Sequence, residues 1–205
     1  MPSVKQPGHR GEFGFMTKCG LVIEFTHLPS GQKAKFIGAL TSFQDNYTST
    51  WNAEQDYGRM DPIPTFQRTG RVINIGWTIL NESAEIGVQN MTQTAKLINF
   101  LYPAYSEAGG GATTISTAPL LKMRFANLVK NVGGKTGTGL VGYLSGFSFN
   151  PNMEAGWVKA SRGDMIPQEV NAQVEFTVIH THKLGWSGKK PRVGRFPYGR
   201  GLGAA

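Results

Sequence analysis

The residues most suggestive of chemistry are two glycine-containing segments of the kind that hold phosphate groups. Gly137-Thr138-Gly139-Leu140-Val141-Gly142 fits the G-x-G-x-x-G spacing of dinucleotide-binding proteins. That motif needs a helix after the glycines, whereas residues 143–149 have the composition of a strand, so a hairpin turn is favoured. Gly134-Lys135-Thr136 resembles the end of a P-loop, but Val129 stands where the first glycine is required. We therefore predict no nucleotide site.

No pattern typical of a catalytic centre or a metal site is present. His180 and His182 lie two apart at the end of a predicted strand, as metal ligands can, but a third ligand is missing. Cys19 has no evident base that would activate its thiol. The sequence shows neither a nucleophile elbow nor a pair of acid and base carboxylates. We expect a protein that is not an enzyme and that holds no cofactor and no metal.

The strongest compositional signal is a basic tail. The 21 Lys and Arg residues exceed the 13 Asp and Glu residues by eight, and no acid follows Phe176. Aromatic residues alternate with the cations of the tail, a mixture typical of segments that bind single-stranded nucleic acid. The tail residues of this kind are Lys183, Trp186, Lys189, Lys190, Arg192, Arg195, Phe196, Tyr198 and Arg200. A solvated tail, or an arm that binds a neighbouring subunit, is the alternative interpretation.

Composition excludes several classes of protein. With 12 Phe, 6 Tyr and 4 Trp residues the chain has ample material for a core, so global disorder is excluded. No run of about 18 apolar residues is present, so no membrane-spanning helix is predicted. No signal peptide is predicted either, and the lone cysteine excludes an intramolecular disulfide. We expect folding in a reducing cytoplasm.

Alternating apolar residues predict about six strands. The clearest is residues 71–80, in which Ile73, Ile75, Trp77 and Ile79 alternate with smaller or polar residues. Further strands are predicted within residues 13–25, 35–43, 121–129, 140–149 and 170–179. Residues 46–60 are polar but contain three large aromatic residues, which indicates either a long hairpin arm or a loop. Residues 106–114 are predicted to form a flexible glycine-rich loop.

One amphipathic helix is predicted between residue 84 and Pro103. Its apolar residues recur every three or four positions, as one helix face requires. They are Ala84, Val88, Met91, Ala95, Ile98 and Leu101. We expect this face to pack on the strands and to leave Gln89, Gln93 and Lys96 exposed, with Asn81 or Ser83 as the N-cap.

These elements predict a mainly β (α+β) fold, an antiparallel β-barrel or sandwich with one flanking α-helix. Residues 1–12 are expected to form an N-terminal arm, residues 13–182 the domain, and residues 183–205 a basic Gly/Pro-rich extension. The extension has too little apolar surface to fold alone, so we expect it to be mobile until a partner covers its aromatic residues.

An ordered set of short motifs resembles the baseplate tail-tube and tail-tube initiator proteins of contractile-tailed bacteriophages. The most specific part is a Gly-Arg-x-Asp-Pro-Ile segment, an aromatic residue and a Thr-x-Arg sequence that leads into an apolar strand. The matching residues are Gly58, Arg59, Asp61, Pro62, Ile63, Phe66, Thr69, Arg71 and Ile73. Softer matches continue in order, so that the resemblance covers about residues 36–182.

The resemblance implies a tail-tube type of fold and a structural role in the virion, after assembly in the host cytoplasm. Six copies would form a ring that connects the baseplate hub to the tail tube and initiates the tube. The implied partners are other copies of the chain, adjacent tube and hub proteins and the sheath initiator, with DNA passing through the lumen and no membrane contact. Two features depart from the family: the net positive charge, and the tail after His182, which lies outside the resemblance.

The residues give two further expectations. Asp61 stands in a Pro-rich turn between Arg59 and Arg71, and we expect it to accept a hydrogen bond or ion pair from an arginine of its own or a neighbouring subunit. A small nucleic-acid-binding β-barrel that uses the basic aromatic tail is the alternative function.

Overall fold

The computed structural model describes residues 22–108, 112–132, 139–160 and 163–198, and its main feature is one antiparallel seven-stranded sheet. The strands of this sheet are β1 (Ile23–His27), β2 (Lys33–Phe36), β3 (Ala39–Glu54), β4 (Ile63–Leu80), β7 (Leu121–Arg124), β8 (Leu140–Pro151) and β11 (Glu169–Val178). Their order is β2-β1-β7-β8-β11-β4-β3. Three small two-stranded sheets pair β5 (Ala104–Ala108) with β6 (Ala112–Thr117), β9 (Trp157–Lys159) with β10 (Met165–Pro167), and β12 (Trp186–Ser187) with β13 (Lys190–Pro191).

The large sheet is strongly curled around its core. Phe25 on β1 and Trp77 on β4 are four strand positions apart, which is about 19 Å in a flat sheet, yet their ring centroids lie 6.2 Å apart. The edge strands β2 and β3 are joined by Ile37 and Gly38 alone. Since so short a connection spans at most about 11 Å, the two edges of the sheet approach each other at this corner.

The core lies on the concave face because apolar residues alternate along the central strands. Ile73, Ile75, Trp77 and Ile79 of β4 are buried, and β11 shows the same period of two from Val170 to Val178. The rings of Phe25 and Phe36 pack on Trp77 from the opposite end of the sheet, with the Phe36 centroid 5.3 Å from that of Trp77. Burial of these faces is the main source of stability.

The helix α1 (Ala84–Asn99) begins at Ser83, whose hydroxyl accepts a hydrogen bond from the Ile86 amide. Its buried residues are Gly87, Thr94 and Leu97, and Leu97 joins the core. At Gly87 a Cβ atom would lie 2.9 Å from Ile166 Cγ2, so the glycine lets α1 approach β10 closely.

The predicted helix face is therefore wrong in part: Ala84 and Met91 are half-buried and Gln89 is exposed, as expected, but several other residues differ. Val88 and Ile98 are exposed by 48% and 36%, and Ala95 is exposed as well. Gln93, predicted to face solvent, is half-buried and accepts a hydrogen bond from the Lys35 amide at 3.2 Å. The helix packs through a narrow stripe formed by Gly87, Thr94 and Leu97, and Val88, Ala95 and Ile98 lie outside this stripe.

The mainly β fold with antiparallel sheets and one helix is confirmed for the described residues, but a closed barrel is not. Within them β2 and β3 do not pair with each other, so the sheet is curled and open. The strand predicted at residues 35–43 is interrupted at Ile37-Gly38, and the one at residues 121–129 ends at Arg124, because Phe125 turns back to bridge Val129. Strands β5 and β6 take up most of the predicted loop at residues 106–114.

Parts of the predictions fall outside the described residues: the N-terminal arm at residues 1–12, Cys19, Arg200 and most of the predicted strand at residues 13–25. In the described ranges, no helix combines the length and the apolar character that a bilayer crossing requires.

Candidate functional site

The distal half of the β3–β4 hairpin projects from the sheet as a two-stranded ribbon, here called the arm (residues 48–70). Its strands pair with each other from Thr48↔Gly70 to Glu54↔Ile63. Strand β11 pairs with β4 no further than Val72, so neither outer edge of the arm is paired within the described chain. Unpaired strand edges are templates for pairing with another chain, and an isolated hairpin is marginally stable.

The arm carries large apolar side chains that the rest of the described chain leaves exposed. Trp51 and Phe66 are exposed by 57% and 51%, and their rings meet edge to face at 5.2 Å. Tyr57 and Met60 at the tip are almost fully exposed. A concentration of apolar surface on a projecting element is characteristic of an interaction site.

The residues that carry the resemblance lie on the arm from its tip to its base. Gly58, Arg59, Asp61 and Pro62 form the tip, where Gly58 has a φ of +84° that favours glycine. Ile63, Phe66 and Thr69 follow on the exposed part of β4, and Thr69 shares a 3.3 Å hydroxyl hydrogen bond with Ser49. Arg71 lies at the base of the arm, where β4 enters the core.

Arg71 forms a buried ion pair with Asp45. Its Nε donates to Asp45 Oδ1 at 2.9 Å and its Nη2 to Oδ2 at 2.7 Å, in the bidentate geometry typical of strong arginine–carboxylate pairs. The Arg71 and Asp45 side chains are exposed by 0% and 3%. The pair closes the end of the core at the point where the arm leaves the sheet.

Aromatic residues enclose this ion pair, and two of them come from the tail. The guanidinium carbon of Arg71 lies 5.2 Å from the Tyr47 ring centroid and 5.7 Å from that of Phe196. Phe196 packs edge to face on Tyr47 at 6.2 Å. The Tyr198 hydroxyl donates to Asp45 Oδ2 at 3.1 Å. Phe196 and Tyr198, here called the anchor, fix the tail to its own sheet.

The hydroxyls around Asp45 are held in their protonated form. Burial raises the pKa of Tyr47, opposed by Arg71 and reinforced by Asp45, to above its usual range. Burial and the Asp45 carboxylate also raise the pKa of Tyr198. Both hydroxyls therefore act as donors to the carboxylate, and Tyr47 does so at 3.1 Å.

The structure corrects two expectations. Asp61 is exposed and makes no side-chain hydrogen bond or ion pair with the described residues, since Arg71 pairs with Asp45 instead. An ion pair of Asp61 with a neighbouring subunit stays a prediction. The tail is not free in the single chain, because the anchor docks Phe196 and Tyr198 on the sheet, whereas Trp186 remains 66% exposed.

Of the glycines and histidines singled out in the sequence, Gly134 and Gly137 lie outside the described residues, whereas Gly139, Gly142, His180 and His182 are described. At Gly142 a Cβ atom would lie 2.1 Å from the Thr177 carbonyl oxygen, so this glycine permits close packing of β8 on β11. Strand β8 follows the glycines, so the helix that a dinucleotide site needs is absent there. Burial lowers the pKa of His180, as do Arg71 and His182. Among the described residues no three His, Cys, Asp or Glu side chains are grouped to hold a metal ion.

Asp45 is the residue that sequence reasoning missed. The signal that could have found it is the turn at Gly58, because a hairpin folded symmetrically about this glycine places Asp45 opposite Arg71. The observed register is shifted by two residues, to which a bulge between Thr50 and Trp51 contributes, and places Tyr47 opposite Arg71. Asp45, two residues along the same strand, then lies on the same face as Tyr47.

In comparisons with known proteins, no family model and no curated protein matches the chain.

Proposed function

We propose that the chain is a structural virion protein of a contractile-tailed bacteriophage, six copies of which form a ring that connects the baseplate hub to the tail tube and initiates tube assembly. The resemblance of residues 58–73 to that family supports this function. The observation that carries it is the arm, a long ribbon with unpaired edges and exposed aromatic residues that nothing else in the described chain covers. In the ring, neighbouring copies cover it.

The open sheet favours the same proposal. Strand β8 pairs with β7 only from Leu140 to Gly142, so no described strand pairs with its residues 143–151 on that side. An arm edge of one copy and this β8 edge of the next can add strands to each other, as in other strand-exchange interfaces. A tail-tube type of fold, completed between subunits rather than within one, belongs to this proposal.

The test is the oligomeric state of the purified full chain. Light scattering and negative-stain electron microscopy are expected to show rings of six copies. The variant Trp51→Ser should shift the chain to monomers, because Trp51 is the largest exposed side chain on the arm. Trp157→Ser, which removes an exposed tryptophan outside the arm, is the matched control and should leave the rings intact. A chain that stays monomeric at high concentration and binds neither tube nor hub protein would contradict the proposal.

A further inference from the structure

The tail of the described chain has two parts with different surroundings. The anchor packs on the Arg71–Asp45 pair, as described above. Before it, β12 and β13 form a small antiparallel hairpin, here called the basic hairpin (residues 186–191), with the pairs Trp186↔Pro191 and Ser187↔Lys190. The turn passes through Gly188, with a φ of +61°, and the Arg192 amide donates to the Gly185 carbonyl at 2.8 Å. The hairpin is thus held at its base and displayed at its tip.

The charge of this region is of one sign. Residues 183–198 contain no Asp or Glu. Their cations are all exposed: Lys183, Lys189, Lys190, Arg192 and Arg195. The salt bridges of the described residues use Glu24 and Asp45, and none of these five cations takes part. A cluster of unpaired like charges attracts polyanions and is stabilised when one binds.

Trp186 adds a flat apolar surface to the same hairpin. Its side chain is 66% exposed, whereas Phe196 and Tyr198 are partly buried against the sheet. An indole ring among cations matches a strand of nucleotides, in which phosphates alternate with bases that stack on aromatic rings. A protein partner matches this lysine-containing surface less well than a nucleic acid does, because protein–protein interfaces are depleted in lysine.

We propose that the basic hairpin, with Lys183, Arg192 and Arg195, is a binding site for single-stranded nucleic acid. The cations contact successive phosphates and Trp186 stacks on a base. The anchor attaches the tail to the sheet on the C-terminal side of the hairpin before binding, which reduces the ordering cost that a free tail would incur. The proposal does not depend on the ring function, because none of the residues that it uses lies in the arm (residues 48–70).

The experiment measures binding of fluorescein-labelled dT20 to the full chain by fluorescence anisotropy over a range of salt concentrations. The logarithm of the affinity should fall linearly with the logarithm of the salt concentration. The double variant Lys189→Gln/Lys190→Gln should weaken binding and reduce this slope by about 0.7 for each lysine that contacts a phosphate. Trp186→Ala should weaken binding roughly 5- to 150-fold and leave the slope unchanged, because it removes stacking and no charge.

A charge-matched control separates the site from the net charge of the protein. Lys96→Gln/Lys159→Gln removes two cations from α1 and β9 and should bind dT20 like the parent. All substituted side chains are at least partly exposed, so the variants should keep the parent's thermal unfolding midpoint.

Four outcomes would overturn the proposal. The first is no binding of dT20 at low salt. The second is an equal loss in the control and in the hairpin variant. The third is displacement of dT20 by poly-L-glutamate as effectively as by unlabelled dT20, which would assign the hairpin to acidic protein surfaces instead. Equal affinity for a duplex of the same length, with no effect of Trp186→Ala, would likewise contradict a single-strand site.

Discussion

At the scale of single residues, the Arg71–Asp45 pair decides how the arm joins the core. Two charges removed from water are costly unless their hydrogen bonds are satisfied. Here Asp45 accepts from Arg71, Tyr47 and Tyr198, while Arg71 Nη1 is left without a partner in the described chain. The desolvation cost of the pair is therefore close to the gain from its charge interaction and hydrogen bonds. Removal of either member leaves a buried charge uncompensated.

Asp45→Asn is expected to lower the free energy of unfolding by about 3–5 kcal/mol, because Arg71 stays charged and buried without its carboxylate. Chemical denaturation measures this in the Trp51→Ser background, which is expected to be monomeric. The double variant Asp45→Leu/Arg71→Met should recover most of the loss, since neither charge then remains. Asp61→Asn is the control and should leave the stability unchanged, because Asp61 is exposed. An Asp45→Asn protein as stable as the parent would contradict the buried-pair account.

A second prediction at this scale concerns acid. Burial lowers the pKa of His27, whose ring stacks on Phe100 at 4.9 Å and shares a 2.8 Å hydrogen bond with Ser30. Because the pKa of His27 is lower in the folded state, the unfolded chain binds the proton more readily. The contribution of His27 to the free energy of unfolding is therefore complete above about pH 6.5 and is lost as the pH falls below it.

Unfolding midpoints measured between pH 7.5 and 5 should fall with pH, and His27→Gln should flatten that decline. The additional substitution His180→Gln should flatten it further, because the pKa of His180 is lowered as well. A decline that is unchanged in the double variant would assign the acid sensitivity to other groups.

At the scale of elements, α1 shows how a close contact overrides an apolar pattern. Leu97 is fully buried, and Leu97→Ala should cost about 2–5 kcal/mol through the cavity it leaves. Val88→Ala on the broader apolar face should cost less than about 1 kcal/mol, because Val88 is half exposed. Thermal and denaturant unfolding of the two variants compares them directly. The reverse ranking would restore the face predicted from the sequence.

The same contrast explains what the sequence could and could not predict. Strands β4 and β11 were predictable because each has one solvent-exposed and one buried face. Such a strand requires apolar and polar residues to alternate along the sequence. The helix face, the Arg71–Asp45 pair and the docking of Phe196 were not predictable. Each depends on which distant segment comes near: Ile166 beside Gly87, Asp45 after the hairpin register is set, and Tyr47 under the tail. Local pattern carries no record of such contacts.

At the scale of the whole molecule, the curled sheet stays open between its edge strands, and other chain segments connect or cover its ends. The Ile37-Gly38 corner joins its edges at one end, and the anchor covers the end where the arm begins. The tail is thus part of the folded unit as well as a displayed element. This differs from the expectation that a Gly/Pro-rich basic tail is mobile until a partner binds.

Truncation tests this role of the tail. Removal of residues 192–205 takes away Phe196 and Tyr198 and exposes the Arg71–Asp45 pair to water. We expect a stability loss on the order of 2 kcal/mol, from one partly buried aromatic side chain and one hydrogen bond to a carboxylate. Removal of residues 199–205 alone keeps the anchor and is the matched control. Hydrogen exchange should locate the change at the base of the arm, in the amides of Tyr47 and Val72, which lie beside the exposed pair. If both truncated chains unfold and exchange like the parent, the anchor contributes nothing to the fold, and the tail acts as the solvated segment that its composition suggests.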